Sequence, residues 1–139
     1  MTATNDVVFD SFALIGYLEN RTFSARVEKL LRQAREGELR IYLHAIHLGE
    51  VYYITLREQG QEIADLVYSR IKAFPLTYID TINENMLRQA AKFKAFYPIS
   101  YADAFAASMA VLYNSSLLTG DPDFKILEKK ENLSIKWLK

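Results

Sequence analysis

Four carboxylates are the chemistry-bearing residues of this chain: Asp10, Glu50, Asp103 and Asp121. Asp10 closes the apolar run Val7-Val8-Phe9, and Asp121 follows Leu117-Leu118-Thr119 across a single glycine. Asp103 falls in the first turn of a helix opened by Ser100, and Glu50 lies on the helix after Ile41-Tyr42-Leu43. In an open parallel α/β sheet such positions meet at the carboxyl ends of the strands, where ligands bind. Carboxylates gathered there repel one another and call for a countercharge. A hard divalent cation supplies it: Mg2+ and Mn2+ favour oxygen ligands and arrive with water and substrate phosphate.

Each acid also has a plain structural role open to it. Asp10 precedes a helical pattern, and Asp is a favoured N-cap. Ser100-x-x-Asp103 reads as a capping-box variant, with Asp103 placed to benefit from the helix dipole. The stretch Thr119-Gly120-Asp121-Pro122-Asp123 makes a tight turn, and turn acids are common. What favours chemistry is its position at the same sheet edge as Asp10. Thr119 and Asp123 are supporting residues there, Asp123 having the stronger claim to a capping role. Glu50 is the sharper anomaly. Its neighbours at four-residue spacing are Ile46 and Ile54, so it lies on an inward helix face, where an unpaired charge is costly.

Other chemistries lack their residues. His44 and His47 are at helical spacing, but no third nitrogen or sulfur ligand joins them, so they do not make a zinc site. There is no phosphate-binding Gly-x-x-x-x-Gly-Lys loop, no Gly-x-Gly-x-x-Gly and no Gly-x-Ser-x-Gly elbow. With no cysteine, disulfides and thiol catalysis drop out. Acidic and basic residues balance at 17 each, and the basic cluster from Arg21 to Arg40 reads as a solvated helix face. Half of the 139 residues are apolar, enough for one domain spanning 1–139 with a real core. No apolar run is long enough for a membrane span and the first residues lack signal-peptide design, so a soluble cytoplasmic protein is expected.

The elements that must position the acids follow from periodicity. Strands are expected at 7–9, 39–43, 76–79 and 116–119, with a fifth strand or extended tail over 133–138. Helices are expected at 11–19, 22–36, 45–58, 61–73, 82–96 and 101–113, with a short one from Pro122. Gly37 and Gly60 end two of them, and Thr81 with Glu84 forms a capping box for the helix from 82. The helix at 61–73 is expected to bury Ile63, Leu66, Val67 and Ile71. Continuous apolar strands alternating with helices indicate a parallel sheet covered on both faces.

The blocks VVFDSFALIGYLEN, HLGEVYYITLRE, ISYADAFAASMA and LLTGDPDFKILE, in this order, resemble the signature blocks of PIN domains, especially VapC-type toxins. The resemblance covers essentially the whole chain. It implies a PIN-like (flavodoxin-like) five-stranded parallel sheet and Mg2+- or Mn2+-dependent endoribonuclease activity. It places Asp10, Glu50, Asp103 and Asp121 at the family's acidic positions, Thr119 at its hydroxyl position and Asp123 at a more variable acid. Phe12 departs from the family, in which a small or polar residue commonly follows the Asp-Ser pair. The resemblance also implies a homodimer and a cognate VapB antitoxin.

On this reading Asp10, Asp103 and Asp121 hold the metal, Glu50 completes the shell or orients water, and hydrolysis of RNA needs no protein nucleophile. Two alternatives carry different consequences. A receiver-like signalling module would use Asp80 at the end of the third strand as phospho-acceptor. A catalytically inactive PIN-like module would bind RNA without cutting it.

Overall fold

The computed structural model describes residues 5–138. Five parallel strands form one sheet: β1 (Val7–Phe9), β2 (Ile41–His44), β3 (Thr77–Ile79), β4 (Ser116–Thr119) and β5 (Ile135–Trp137). Val7, Val8, Phe9, Leu117 and Leu118 are all fully buried. Successive side chains point to opposite faces, so a strand apolar at every position must be covered twice. Val7 and Phe9 pack under α1 (Ser11–Leu18), α2 (Ser24–Arg35), α3 (Ala45–Gln59) and α4 (Gln61–Lys72). Val8 and Leu117 pack under α5 (Glu84–Phe96), α6 (Tyr101–Leu112) and α7 (Lys125–Glu131). Each such side chain contributes roughly 1.5–3 kcal/mol by leaving water. The alanines of α6 let that helix sit directly on the sheet: Ala104, Ala106, Ala107 and Ala110 are buried.

The parallel sheet with helices on both faces is the one expected, but its strand order is β3-β2-β1-β4-β5. The flavodoxin pattern would place the third strand beside the first. Here the chain moves outward from β1 to β3, then returns past β1 to build β4 and β5. The order reverses between β1 and β4, and their carboxyl ends flank the crevice. This removes the receiver-like alternative. β3 is an edge strand separated from β1 by β2, so Asp80 follows a strand at the margin of the sheet.

Three local expectations are corrected. Thr81 does not cap α5. Asn83 does, its side chain accepting from Met86 N–H at 2.9 Å, because the Thr81 carbonyl is bonded to His44 Nε2 at 2.9 Å and stays in the preceding loop. In α4, Ile71 is buried but Leu66 is 65% exposed and Ile63 is also exposed. That helix packs chiefly on α3, a partner that takes only a narrow stripe. Finally, β5 is confined to Ile135–Trp137, shorter than the extended tail expected.

Candidate functional site

The acids reach the crevice through helix starts. Asp10 follows β1 directly and is the N-cap of α1, accepting from Ala13 N–H at 3.0 Å. Asp121 follows β4 across Gly120 and caps the 3-10 turn Pro122–Phe124, accepting from Asp123 N–H at 2.9 Å. Ser100 caps α6, accepting from Asp103 N–H at 3.1 Å. The capping role and the convergence of acids are therefore one arrangement. The bonds that start each helix also fix where its carboxylate lies.

Carboxylate oxygens of Asp103, Asp121 and Asp123 all lie within 4.8 Å of one another. Asp10 is not one of that trio. It lies deeper, 3% exposed, yet close enough that Asp103 and Asp121 both act on its charge. Thr119 links the two levels. Its hydroxyl hydrogen-bonds Asp10, and its Oγ1 accepts from Asp121 N–H at 3.1 Å. Glu50, on α3, lines the same cavity as Asp103 and Asp121. Its Oε1 is buried without a hydrogen-bond partner, while the Ser11 hydroxyl bonds the carboxylate.

The electrostatics are those of uncompensated acids. Burial pushes the Asp10 carboxyl up to about 7, against the bonds from Thr119 and Ala13 and with help from Asp103 and Asp121. Burial, then the Asp121 charge, raises Asp103 to about 6 despite its bond to Ser100. Burial also raises Glu50. Charged together, these groups destabilise the fold, and the remedies are protonation or a cation. An all-oxygen donor set with an orphaned carboxylate oxygen suits a hard divalent ion such as Mg2+ or Mn2+.

The histidines serve the scaffold. His44 caps α3, its Nδ1 accepting from Ile46 N–H at 3.1 Å while Nε2 bonds Thr81. His47 is fully buried, with Nε2 bonded to the Ala102 carbonyl at 2.9 Å, and burial lowers its pKa to about 4. His47 thereby ties α3 to the first turn of α6, which carries Asp103.

Asp123, expected only as a supporting residue, is one of the three carboxylates that converge. A Pro-initiated 3-10 turn swings its side chain back toward α6, and no residue pattern announces that rotation. Arg21 was read within a solvated basic cluster; it lines the cavity that holds Glu50, Asp103 and Asp121. Its position in the loop between α1 and α2 gave no signal.

A twisted parallel sheet whose switch point carries this many acids is the frame of a PIN domain. Residues 7–130 match the PIN domain family, and the chain belongs to that family. The fold also matches solved structures. VapBC2 from Rickettsia felis, bound to a DNA fragment from its promoter, superposes with TM-score 0.76 at 16% identity, covering 96% of this chain and 99% of that one. VapBC-1 from nontypeable Haemophilus influenzae gives 0.70 at 19% identity over 95% and 97%. VapC20 from Mycobacterium tuberculosis, described as a sarcin-ricin loop cleaving toxin, gives 0.62 at 16% identity over 86% and 93%. Comparison with curated proteins yields no matching relative.

Proposed function

We propose that this chain is a Mg2+- or Mn2+-dependent endoribonuclease, the toxin of a VapBC-type pair. The observation that carries the reading is the convergence of Asp103, Asp121 and Asp123 above a buried Asp10, with an unpartnered Glu50 oxygen facing no protein donor. In this reading Asp103, Asp121 and Asp123 hold the ion. Asp10, locked by Thr119 and Ala13, adds negative charge from beneath and fixes the position of Asp121 through Thr119. When bound, the cation supplies Lewis acidity toward a phosphodiester and lowers the pKa of water. Glu50, which lines the same cavity as Asp103 and Asp121, orients the attacking water. Ser11 holds the Glu50 carboxylate, and Ser100 holds Asp103, so neither turns away from the other.

Family membership and the sarcin-ricin loop cleaving neighbour favour RNA as substrate. The VapBC neighbours favour a small antitoxin as partner, and a homodimer acting in the cytoplasm belongs to the same reading. Among the described residues no helix is long and apolar enough to cross a membrane.

The test is RNA cleavage by the purified chain with Mn2+, with EDTA, and with Asp103→Asn. Cleavage present only in the first arm supports the reading. Intact RNA with Mn2+ refutes it and leaves the non-cutting PIN-like module, which would still retard RNA in a gel.

A further inference from the structure

We propose that the cavity beside the acids is a subsite for one unpaired nucleotide, its base on Phe12 and its phosphate under Arg21. The proposal rests on the ribonuclease reading above and adds which part of the strand this chain grips.

The cavity measures about 290 Å³, and Glu50, Asp103 and Asp121 account for only part of its wall. Phe12, Ile15 and Ile54 make an apolar wall, and Arg21 is the one cation among its described lining residues. A metal and its water need oxygens, so the apolar wall and the guanidinium have no part in ion binding. They match the two other parts of a nucleotide. Aromatic rings give nucleobases a stacking face, and Arg pairs with phosphate through its fork of N–H donors.

Both side chains are held ready. The Phe12 ring stacks on Phe23, with centroids 5.8 Å apart and planes at 24°. Two glycines make that pair possible. A Cβ on Gly16 would lie 2.0 Å from Phe23 Cζ, and one on Gly120 would lie 2.5 Å from Phe12 Cε1. Gly120 separates β4 from Asp121, so the residue that admits the ring also delivers the acid. Arg21 is tethered by Glu19, with Nε at 3.1 Å and Nη2 at 3.0 Å from the same carboxylate oxygen. The tether limits the reach of Arg21 to the cavity mouth while using one face of its fork.

Geometry then decides the strand's state. The acids and the apolar wall share one concavity, so a phosphodiester that approaches the acids brings its flanking base against Phe12. A duplex keeps its bases stacked inside the helix and has none to offer, whereas a loop or single strand can splay one out.

The experiment starts from bacterial total RNA cleaved with Mn2+, the cut ends being mapped. A short oligoribonucleotide spanning a mapped site is then made with single abasic positions on either side of the cut. One abasic position should lower kcat/KM roughly tenfold, chiefly through KM, as expected for one lost base–aromatic stack. Phe12→Leu keeps the apolar packing but removes the ring face. In that variant the same abasic position should cost less than about threefold. Arg21→Gln, at an exposed side chain, should raise KM and flatten the log–log salt dependence by roughly 0.7, one phosphate contact on a single strand. This arm stands even if Phe12→Leu fails to fold. Equal cleavage of every abasic oligomer, or an unchanged abasic penalty in Phe12→Leu, together with an unchanged salt slope in Arg21→Gln, overturns the subsite while the ribonuclease survives. No cleavage of any RNA with Mn2+ instead removes the underlying activity.

Discussion

The two ends of the sheet carry hollows of opposite character. At the amino ends of the strands lies the larger one, about 770 Å³, lined by Asp6, Arg35, Glu38 and Arg40 among others. Its charges alternate in sign, and Asp6 accepts from Arg40 N–H at 2.8 Å. At the carboxyl ends the hollow is smaller, about 290 Å³, and its charges are mostly of one sign. Two of its acids hold their protons more tightly than usual: burial raises the Glu50 carboxyl, and burial together with the Asp121 charge raises Asp103 to about 6. Size does not mark the proposed site; unbalanced charge does. A fold tolerates clustered acids at a cost in stability, and under the proposed function that cost falls where the ion binds.

Substitution should separate the two ends most sharply. Asp103→Asn or Asp10→Asn is expected to lower Mn2+-dependent RNA cleavage by roughly a thousandfold or more, the equivalent of about 4 kcal/mol of barrier. Asp6→Asn at the other end should leave cleavage within about twofold while costing roughly 1 kcal/mol of stability in a urea melt. Comparable losses from Asp6→Asn and Asp103→Asn would erase the distinction.

Metal should stabilise only the carboxyl end. At about 100 times its Kd, Mn2+ adds roughly 2.7 kcal/mol to the folded state and raises Tm by several degrees. Differential scanning fluorimetry should record that shift in the wild type and in Asp6→Asn, and lose most of it in Asp121→Asn.

The pH dependence follows from the raised carboxyls. A group whose pKa is higher in the folded state than in the unfolded chain binds its proton more tightly when folded. Its stabilisation is complete below the unfolded value, near 3.8 for Asp10, and is lost as pH rises through the folded value of about 7. Metal-free protein should therefore melt higher at pH 5 than at pH 8, with Asp103 acting in the same window through its value of about 6. Asp10→Asn should flatten this slope and stabilise the metal-free chain at pH 8 by roughly 1–3 kcal/mol. Saturating Mn2+ should also reduce it. An unchanged slope in Asp10→Asn would mean that other groups govern it.

The smallest expected effect is that of Thr119→Val. Removing the hydroxyl takes a donor from Asp10 and an acceptor from Asp121 N–H, costing about 1–2 kcal/mol of stability. Cleavage should fall roughly tenfold, read in kcat more than in KM, because the two acids are no longer held together.

Much of this was legible one residue at a time. Val7-Val8-Phe9 and Leu117 to Thr119 read as buried strands because every position is apolar or β-branched, and a doubly covered strand permits little else. The acids at their ends could be named because a parallel sheet sends its strand ends to one edge. Illegible were the features that depend on a distant partner. Thr81 lost its capping role to Asn83 because a histidine from β2 holds the Thr81 carbonyl. Leu66 carries a helical pattern that looks inward, but α3 is too narrow a partner to cover it.

The sequence by itself determined that there is a parallel sheet with acids at its carboxyl edge, because hydrophobic periodicity and helix-capping preferences act over a few residues. Only the tertiary structure decided the strand order, the depth of Asp10 below the trio, the place of Asp123 in that trio and the entry of Arg21 and Phe12 into one cavity. Those depend on which strands lie side by side and on how a turn projects its side chains, and both are set by packing between segments far apart in the chain.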